Sequence, residues 1–225
     1  MTKIPDEKKE VKNVKDRILT ERKLIAAIGV ILKEDGYRGL GLNRIAKTAG
    51  VNKNLIYRYF GDVDTLVETY IREKDFWLAD NKEFPEVFHP QANKEQIVGS
   101  IAELLENQLN FFYNSEEMQH IILSEISEDS SILKRLSSLR ESMAEPFFSY
   151  TDKYFEKSEL NFRALSAIMT SGIYYMVLQS KKNEAINCGI NIRTEQGREM
   201  ISKTIRQMLA WSFNDQKGRS DVGES

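Results

Sequence analysis

The chain has 225 residues, of which 41% are hydrophobic and 29% charged, with a formal net charge of −2. This length holds one large domain, or a small one beside a medium one. No apolar run reaches the roughly 18 residues of a membrane-spanning helix, so no membrane association is expected. The opening MTKIPDEKKEVKNVKDR lacks the apolar stretch of a secretory signal, and a single cysteine, Cys188, cannot form an internal disulfide; both features fit a cytoplasmic protein.

The charge is unevenly placed. Residues 1–60 carry 14 Lys/Arg against 7 Asp/Glu, and the remaining chain carries 18 against 27. A basic end on an acidic body fits a local anionic partner, and it equally fits a solvated, charged N-terminus. From Gly36 to Phe60 there is no acidic residue at all.

Helical spacing of apolar residues runs along nearly the whole chain, and no segment alternates with period two, which predicts an all-α protein of about nine helices. Leu24, Ile28, Ile31 and Leu32 mark one face of a first helix, which starts near Thr20 or earlier and stops at Gly36. Two short helices follow within 42–60. A fourth starts at Asp62, a good N-cap, and runs to about Asp80. Pro85 and Pro90 then mark a joint between a small module and a larger one. Beyond it, helices are expected near 94–113, 115–127, 130–157, 161–182 and 194–213. The expected division is a flexible arm over 1–17, a helix-turn-helix domain over 18–62, a helical effector-binding and dimerisation domain over 63–214, and a disordered tail over 215–225.

Within 42–60 each small or apolar residue has a steric role. Ala46 allows a close helix crossing, Gly50 accepts a positive φ at the turn, Val51 plugs the corner, Asn52 caps the next helix, and Ile56 packs back. This is the pattern of a helix-turn-helix. The exposed face of its second helix then presents Lys53, Asn54, Leu55, Tyr57, Arg58 and Tyr59. Asn pairs with adenine, Lys with guanine, and Leu touches a thymine methyl; Tyr57, Arg58 and Tyr59 have the reach for phosphates. Phe60 reads as a packing residue. Arg44, from the first motif helix, joins this set. With no carboxylate to repel a phosphate backbone, the expected partner is double-stranded DNA.

The stretch GYRGLGLNRIAKTAGVNKNLIYRYFGDVDTL resembles the TetR-type transcriptional regulators, over about residues 20–72. The resemblance implies a three-helix DNA-binding domain, with Lys53, Asn54, Leu55, Tyr57, Arg58 and Tyr59 as recognition-helix contacts. It also implies a larger helical domain that forms a homodimer and holds a small-molecule effector. Three positions depart from the family pattern. Leu40-Gly41 replaces the usual Thr/Ser entry to the first motif helix, with Gly41 or Asn43 as partial substitutes for its cap. Asn54 replaces a common Gly. Asp62-Val63 replaces a Ser-Lys whose lysine contacts phosphate, leaving Arg38, Arg44 or the basic arm to compensate.

In the larger domain, RALSAIMTSGIYYMVLQ (163–179) is apolar nearly all round and must be covered on several sides. With the last helix it supplies the expected dimer interface: Ala167, Ser171, Tyr175, Ile201, Ile205, Met208 and Trp211. Both helices read equally as monomer core, and the two-fold arrangement is favoured because it places two recognition helices roughly 34 Å apart on a near-palindromic site. Phe111, Phe112, Met118, Glu125, Phe147, Tyr150, Met169 and Tyr174 are candidates for a pocket accepting an apolar or aromatic effector, although residue by residue ordinary core is the commoner role. His89 and His120 stand far apart without flanking ligands, so no metal site is expected. No nucleophile–base–acid set appears, so neither catalysis nor a cofactor is expected. The reading is a ligand-responsive repressor. The rival is a helical small-molecule binding protein or enzyme with a vestigial DNA-binding module.

Overall fold

The computed structural model of the chain describes residues 7–79, 92–184 and 186–214, with side chains from residue 14 onward. The expected joint with Pro85, His89 and Pro90, and the expected tail over 215–225, lie outside these residues. Regular structure among the described residues is helical: α1 (Glu7–Asp35), a 3-10 turn (Tyr37–Gly39), α2 (Leu42–Ala49), α3 (Asn54–Phe60), α4 (Val63–Lys74), α5 (Lys94–Asn114), α6 (Glu116–Ser127), α7 (Ser131–Asp152), α8 (Phe162–Asn183) and α9 (Glu195–Asn214). An isolated antiparallel bridge joins Asn187 and Ile190. The chain forms two compact units, one of Met1–Ala79 with Glu116–Ser137, the other of Asp80–Ser115 with Ser138–Ser225. The sequence-based boundary at 62/63 therefore runs through the first unit.

α1 organises the first unit. Leu24, Ile28, Ile31 and Leu32 have no exposed surface, and α2, α4 and α6 all pack on this helix. Burying each such side chain stabilises by about 1.5–3 kcal/mol. The crossing with α4 is close at Gly29, where a Cβ would stand 2.7 Å from the Tyr70 Oη. Tyr70 is itself buried. Burial first, and then the Glu117 carboxylate that it hydrogen-bonds, hold its phenol well above the usual range, so it remains a neutral donor. Glu117 also pairs with Lys33 at 3.0 Å, so α1, α4 and α6 meet at one carboxylate.

Three helix limits differ from the expectation. α1 already begins at Glu7, within the segment expected as a flexible arm. α4 ends at Lys74, not near Asp80: Asp75 is extended (φ −71°, ψ 133°), and its carboxylate accepts from the backbone N–H groups of Trp77 and Leu78 at 2.8 and 3.3 Å, opening a new turn. α7 ends at Asp152 rather than 157, because the following turns bring Phe155 into the core. There it stacks on Phe162 (4.7 Å, 14°) and meets Phe213 edge-on.

In the second unit α8 and α9 both pack on α5. α5 opens with a reciprocal capping box: Asn93 Oδ1 accepts from the Gln96 N–H at 2.9 Å, and Gln96 Oε1 accepts from the Asn93 N–H at 2.8 Å. Asn161 caps α8 without the return bond, its Oδ1 accepting from the Ala164 N–H at 2.9 Å.

The α1–α4 crossing yields a coupling test. Gly29→Ala is expected to destabilise the protein by about 1–3 kcal/mol through overpacking. In a Tyr70→Phe background, which removes the clashing oxygen, the cost of Gly29→Ala should fall. Urea unfolding of the double-mutant cycle measures the difference.

Candidate nucleic-acid interface

α2 buries Ile45 and Ala46 and ends at Gly50, which adopts the left-handed conformation (φ 65°, ψ 34°). The Gly50 N–H donates to the Lys47 carbonyl at 3.1 Å, and the Val51 N–H donates to the Ala46 carbonyl at 3.0 Å. This pair of bonds is a Schellman closure. No neighbour lies within 4 Å of a Cβ added at Gly50, so the glycine is required by its backbone angle and not by space. Asn52 caps the next helix as expected, its Oδ1 accepting from the Asn54 N–H at 2.9 Å. Ile56 is fully buried and fixes the rotation of α3. That rotation leaves Lys53, Asn54, Tyr57 and Arg58 exposed on one arc, with Leu55, Tyr59 and Phe60 half-buried at its edges.

Tyr59 stands apart from the other tyrosine. The Arg17 guanidinium from α1 lies 5.4 Å from its ring centroid, and that of Arg58 lies 5.9 Å away. Its ring is thus held under cations, while Tyr57 is 53% exposed. Arg17 has no counterpart in the sequence reading, because only the unbroken start of α1 brings it there. Lys47, in the last turn of α2, is a further exposed cation.

The arginines outside α3 are engaged. Arg44 Nη2 donates to Glu34 at 2.7 Å and to Asp35 at 3.0 Å, and Arg38 Nε donates to Glu128. The acid-free segment therefore borrows carboxylates from α1 and from the residue after α6. These pairs are well exposed on the arginine side, and exposed pairs contribute only about 0–1 kcal/mol, so exchanging a carboxylate for a phosphate costs little. At the α2 entry, Gly41 is extended and no side chain caps the helix; neither Gly41 nor Asn43 substitutes for the absent hydroxyl.

α4 begins with a working cap. Asp62 Oδ1 accepts from the Thr65 N–H at 2.7 Å. That backbone bond, followed by the Thr65 hydroxyl, holds the Asp62 carboxyl below its usual range. Val63 is half-buried.

Residues 24–70 match the family model described as bacterial regulatory proteins, tetR family. That match covers α2 and α3 with their turn, together with most of the buried face of α1 and most of α4. No curated protein matches the chain. Among solved structures, it is similar to the transcriptional regulator FadR from Bacillus subtilis in complex with stearoyl-CoA, at 14% identity and TM-score 0.62, covering 84% of this chain and 96% of that one. It is also similar to a TetR family regulator from Marinobacter aquaeolei VT8 (13%, TM-score 0.58, 87% and 97% covered). A third is the fatty acid degradation regulator FadR from Bacillus halodurans (17%, TM-score 0.56, 84% and 96%). At such identities the likeness shows the shared all-helical fold.

The other expected sites are placed as follows. Of the eight candidate pocket residues, Met118 and Glu125 belong to the first unit and Phe111, Phe112, Phe147, Tyr150, Met169 and Tyr174 to the second. Phe112 and Tyr174 meet edge-on with ring centroids 4.7 Å apart. A polar cleft of about 460 Å³ in the second unit is lined by Glu106, Asn110, Glu195, Arg198, Glu199, Ser202, Lys203 and Arg206, and includes none of the eight. Of the expected interface residues, Ala167, Ser171, Tyr175 and Trp211 are exposed and Ile201 and Met208 half-buried. Ile205 is only 3% exposed and belongs to the monomer core. α8 is not covered all round, since Ile168 is 70% and Tyr175 59% exposed. Among the described residues no helix is long and apolar enough to cross a membrane, and no cluster of three or more His, Cys, Asp or Glu stands ready for a metal.

The Asp62 cap has a pH signature. A depressed folded pKa contributes stability above the ordinary carboxylate range and loses it as pH falls through the folded value. Asp62→Ala is therefore expected to lower the melting temperature near neutral pH, with the difference from wild type shrinking as the pH is taken below that range. Thermal melts across pH provide the check.

Proposed function

We propose that this chain is a cytoplasmic, ligand-responsive repressor of the TetR family that binds a near-palindromic operator as a homodimer. The observation that carries the reading is the outward arc of Lys53, Asn54, Tyr57 and Arg58 on α3, fixed by buried Ile56 and free of acidic residues. Lys53, Asn54 and Leu55 lie at the start of the helix, where a recognition helix meets base edges. Tyr57, Arg58 and Tyr59 reach phosphates on either side, and Arg44 joins them by exchanging its carboxylates for a phosphate.

Dimerisation is assigned to exposed faces of α8 and α9. Ala167, Ile168, Ser171 and Tyr175 line one helix, and Met200 and Trp211 the other. Ile168, Tyr175, Met200 and Trp211 are large apolar side chains left in water, and apolar patches of this kind mark association surfaces. Effector binding is assigned to the second unit. An apolar ligand suits its aromatic interior, and the Bacillus subtilis relative in complex with stearoyl-CoA supports that class. The effector acts by binding one spacing of the two recognition helices better than another.

Two sets of variants test the reading. Ile168→Glu with Trp211→Glu is expected to convert a dimer to a monomer in sedimentation equilibrium, and to weaken operator binding with it. Tyr57→Phe should weaken binding to all sequences alike, whereas Lys53→Ala should relax preference at one base pair at a cost of about 1–3 kcal/mol. Val63→Lys should add one phosphate contact and steepen the salt dependence by about one unit of slope. A monomeric wild type, or a Lys53→Ala variant with unaltered preference, contradicts the proposal.

A further inference from the structure

One fully buried side chain of the second unit leaves both of its polar atoms without a partner. Gln108 lies on the core face of α5, one turn from Leu104, Leu105 and Phe112, and has 0% of its surface exposed. Neither its Nε2 nor its Oε1 has a hydrogen-bond partner in the protein. The other buried polar residues of this unit, Thr151, Ser180 and Ser212, each spend their hydroxyl on a carbonyl of their own helix, at 3.2, 3.1 and 2.8 Å. A primary amide offers two donors and an acceptor. Leaving both atoms unmet in an apolar interior is unfavourable, so such groups in native proteins are met by something. α5 is also the helix on which α8 and α9 both pack.

We propose that Gln108 is the polar anchor of a ligand site in the second unit, and that the ligand is an apolar molecule bearing a neutral group that both accepts and donates a hydrogen bond, such as an amide. This rests on the reading of the second unit as the effector-binding unit. Nε2 donates to the ligand carbonyl, and Oε1 accepts from the ligand N–H. Leu104, Leu105, Leu109 and Phe112, the buried residues next to Gln108 along α5, offer apolar surface to the body of the ligand. A carboxylate fits poorly, for two reasons. It is acceptor-only and leaves Oε1 unmet. It also brings a charge into a unit whose buried residues, among those described, are all uncharged.

The test uses three probes of equal chain length: decanamide, N,N-dimethyldecanamide, which accepts but does not donate, and decanoate at pH 7.5. Calorimetric titration of the wild-type protein is expected to rank decanamide first, with each of the others about tenfold weaker or more. Gln108→Met, nearly isosteric and apolar, is expected to lose that preference and to melt higher than wild type without a probe. Equal affinities for the three probes, or no binding of any, overturn the proposal. So does a preference that persists in Gln108→Met, or a lower melting point of that variant, which identifies a buried water as the standing partner. Should the variant not fold, the wild-type ranking alone decides. Operator binding by the same preparation is measured in parallel. Sequence-specific DNA binding with no probe preference removes only the Gln108 assignment, whereas loss of specific DNA binding removes the regulator reading itself.

Discussion

The buried face of α1 is the constraint on which the DNA-binding module depends. Leu24, Ile28, Ile31 and Leu32 leave water completely, and three other helices use that one surface. α2 is placed by Ile45 and Ala46, and α4 by the close pass of Tyr70 over Gly29. α3 is then positioned through α2 by the Gly50 closure and by Ile56. The face it presents follows from what it must bury: with Ile56 turned inward, Lys53, Asn54, Tyr57 and Arg58 have no direction left but outward. The outward face of α3 is thus a by-product of core packing, and a change in the core acts on it through the angle of α3.

Charge completes the arrangement. The segment Gly36–Phe60 contains no acid, yet its arginines outside α3 are matched by Glu34, Asp35 and Glu128. The match is made of exposed, exchangeable pairs. Such pairs hold the cations in place at little energetic cost and release them to a stronger anion. On the proposed reading the cations of α3 meet DNA directly, while Arg38 and Arg44 reach it only by displacing their carboxylates.

Much of this was legible in the sequence, for local reasons. Helix positions follow from the spacing of apolar residues, and most limits of α5 to α9 fall within a residue or two of the expectation. The Gly50 turn, the Asn52 and Asp62 caps and the buried Ile56 are each dictated by the few residues around them. What was not legible depends on tertiary placement. Arg17 reaches Tyr59 only because α1 begins at Glu7 and stays unbroken. Phe155 ends α7 early because Phe162 and Phe213 await it. Ile205 faces the core although it shares a stripe with Trp211, since a single helix cannot reveal which side of a broad apolar stripe its own subunit covers. Gln108 gave no signal at all, because a glutamine among leucines reads as an ordinary surface residue until its burial is known.

The central claim is that the outward arc of α3 reads double-stranded DNA as one half of a two-fold pair. Selection of bound duplexes from a random pool, with the intact purified protein at moderate salt, tests it most directly. The account predicts enrichment of a near-palindromic sequence with half-sites about one helical turn apart or a multiple of it, and loss of that enrichment with Lys53→Ala. A pool that remains random after repeated rounds, or that converges on a sequence without two-fold symmetry, contradicts it.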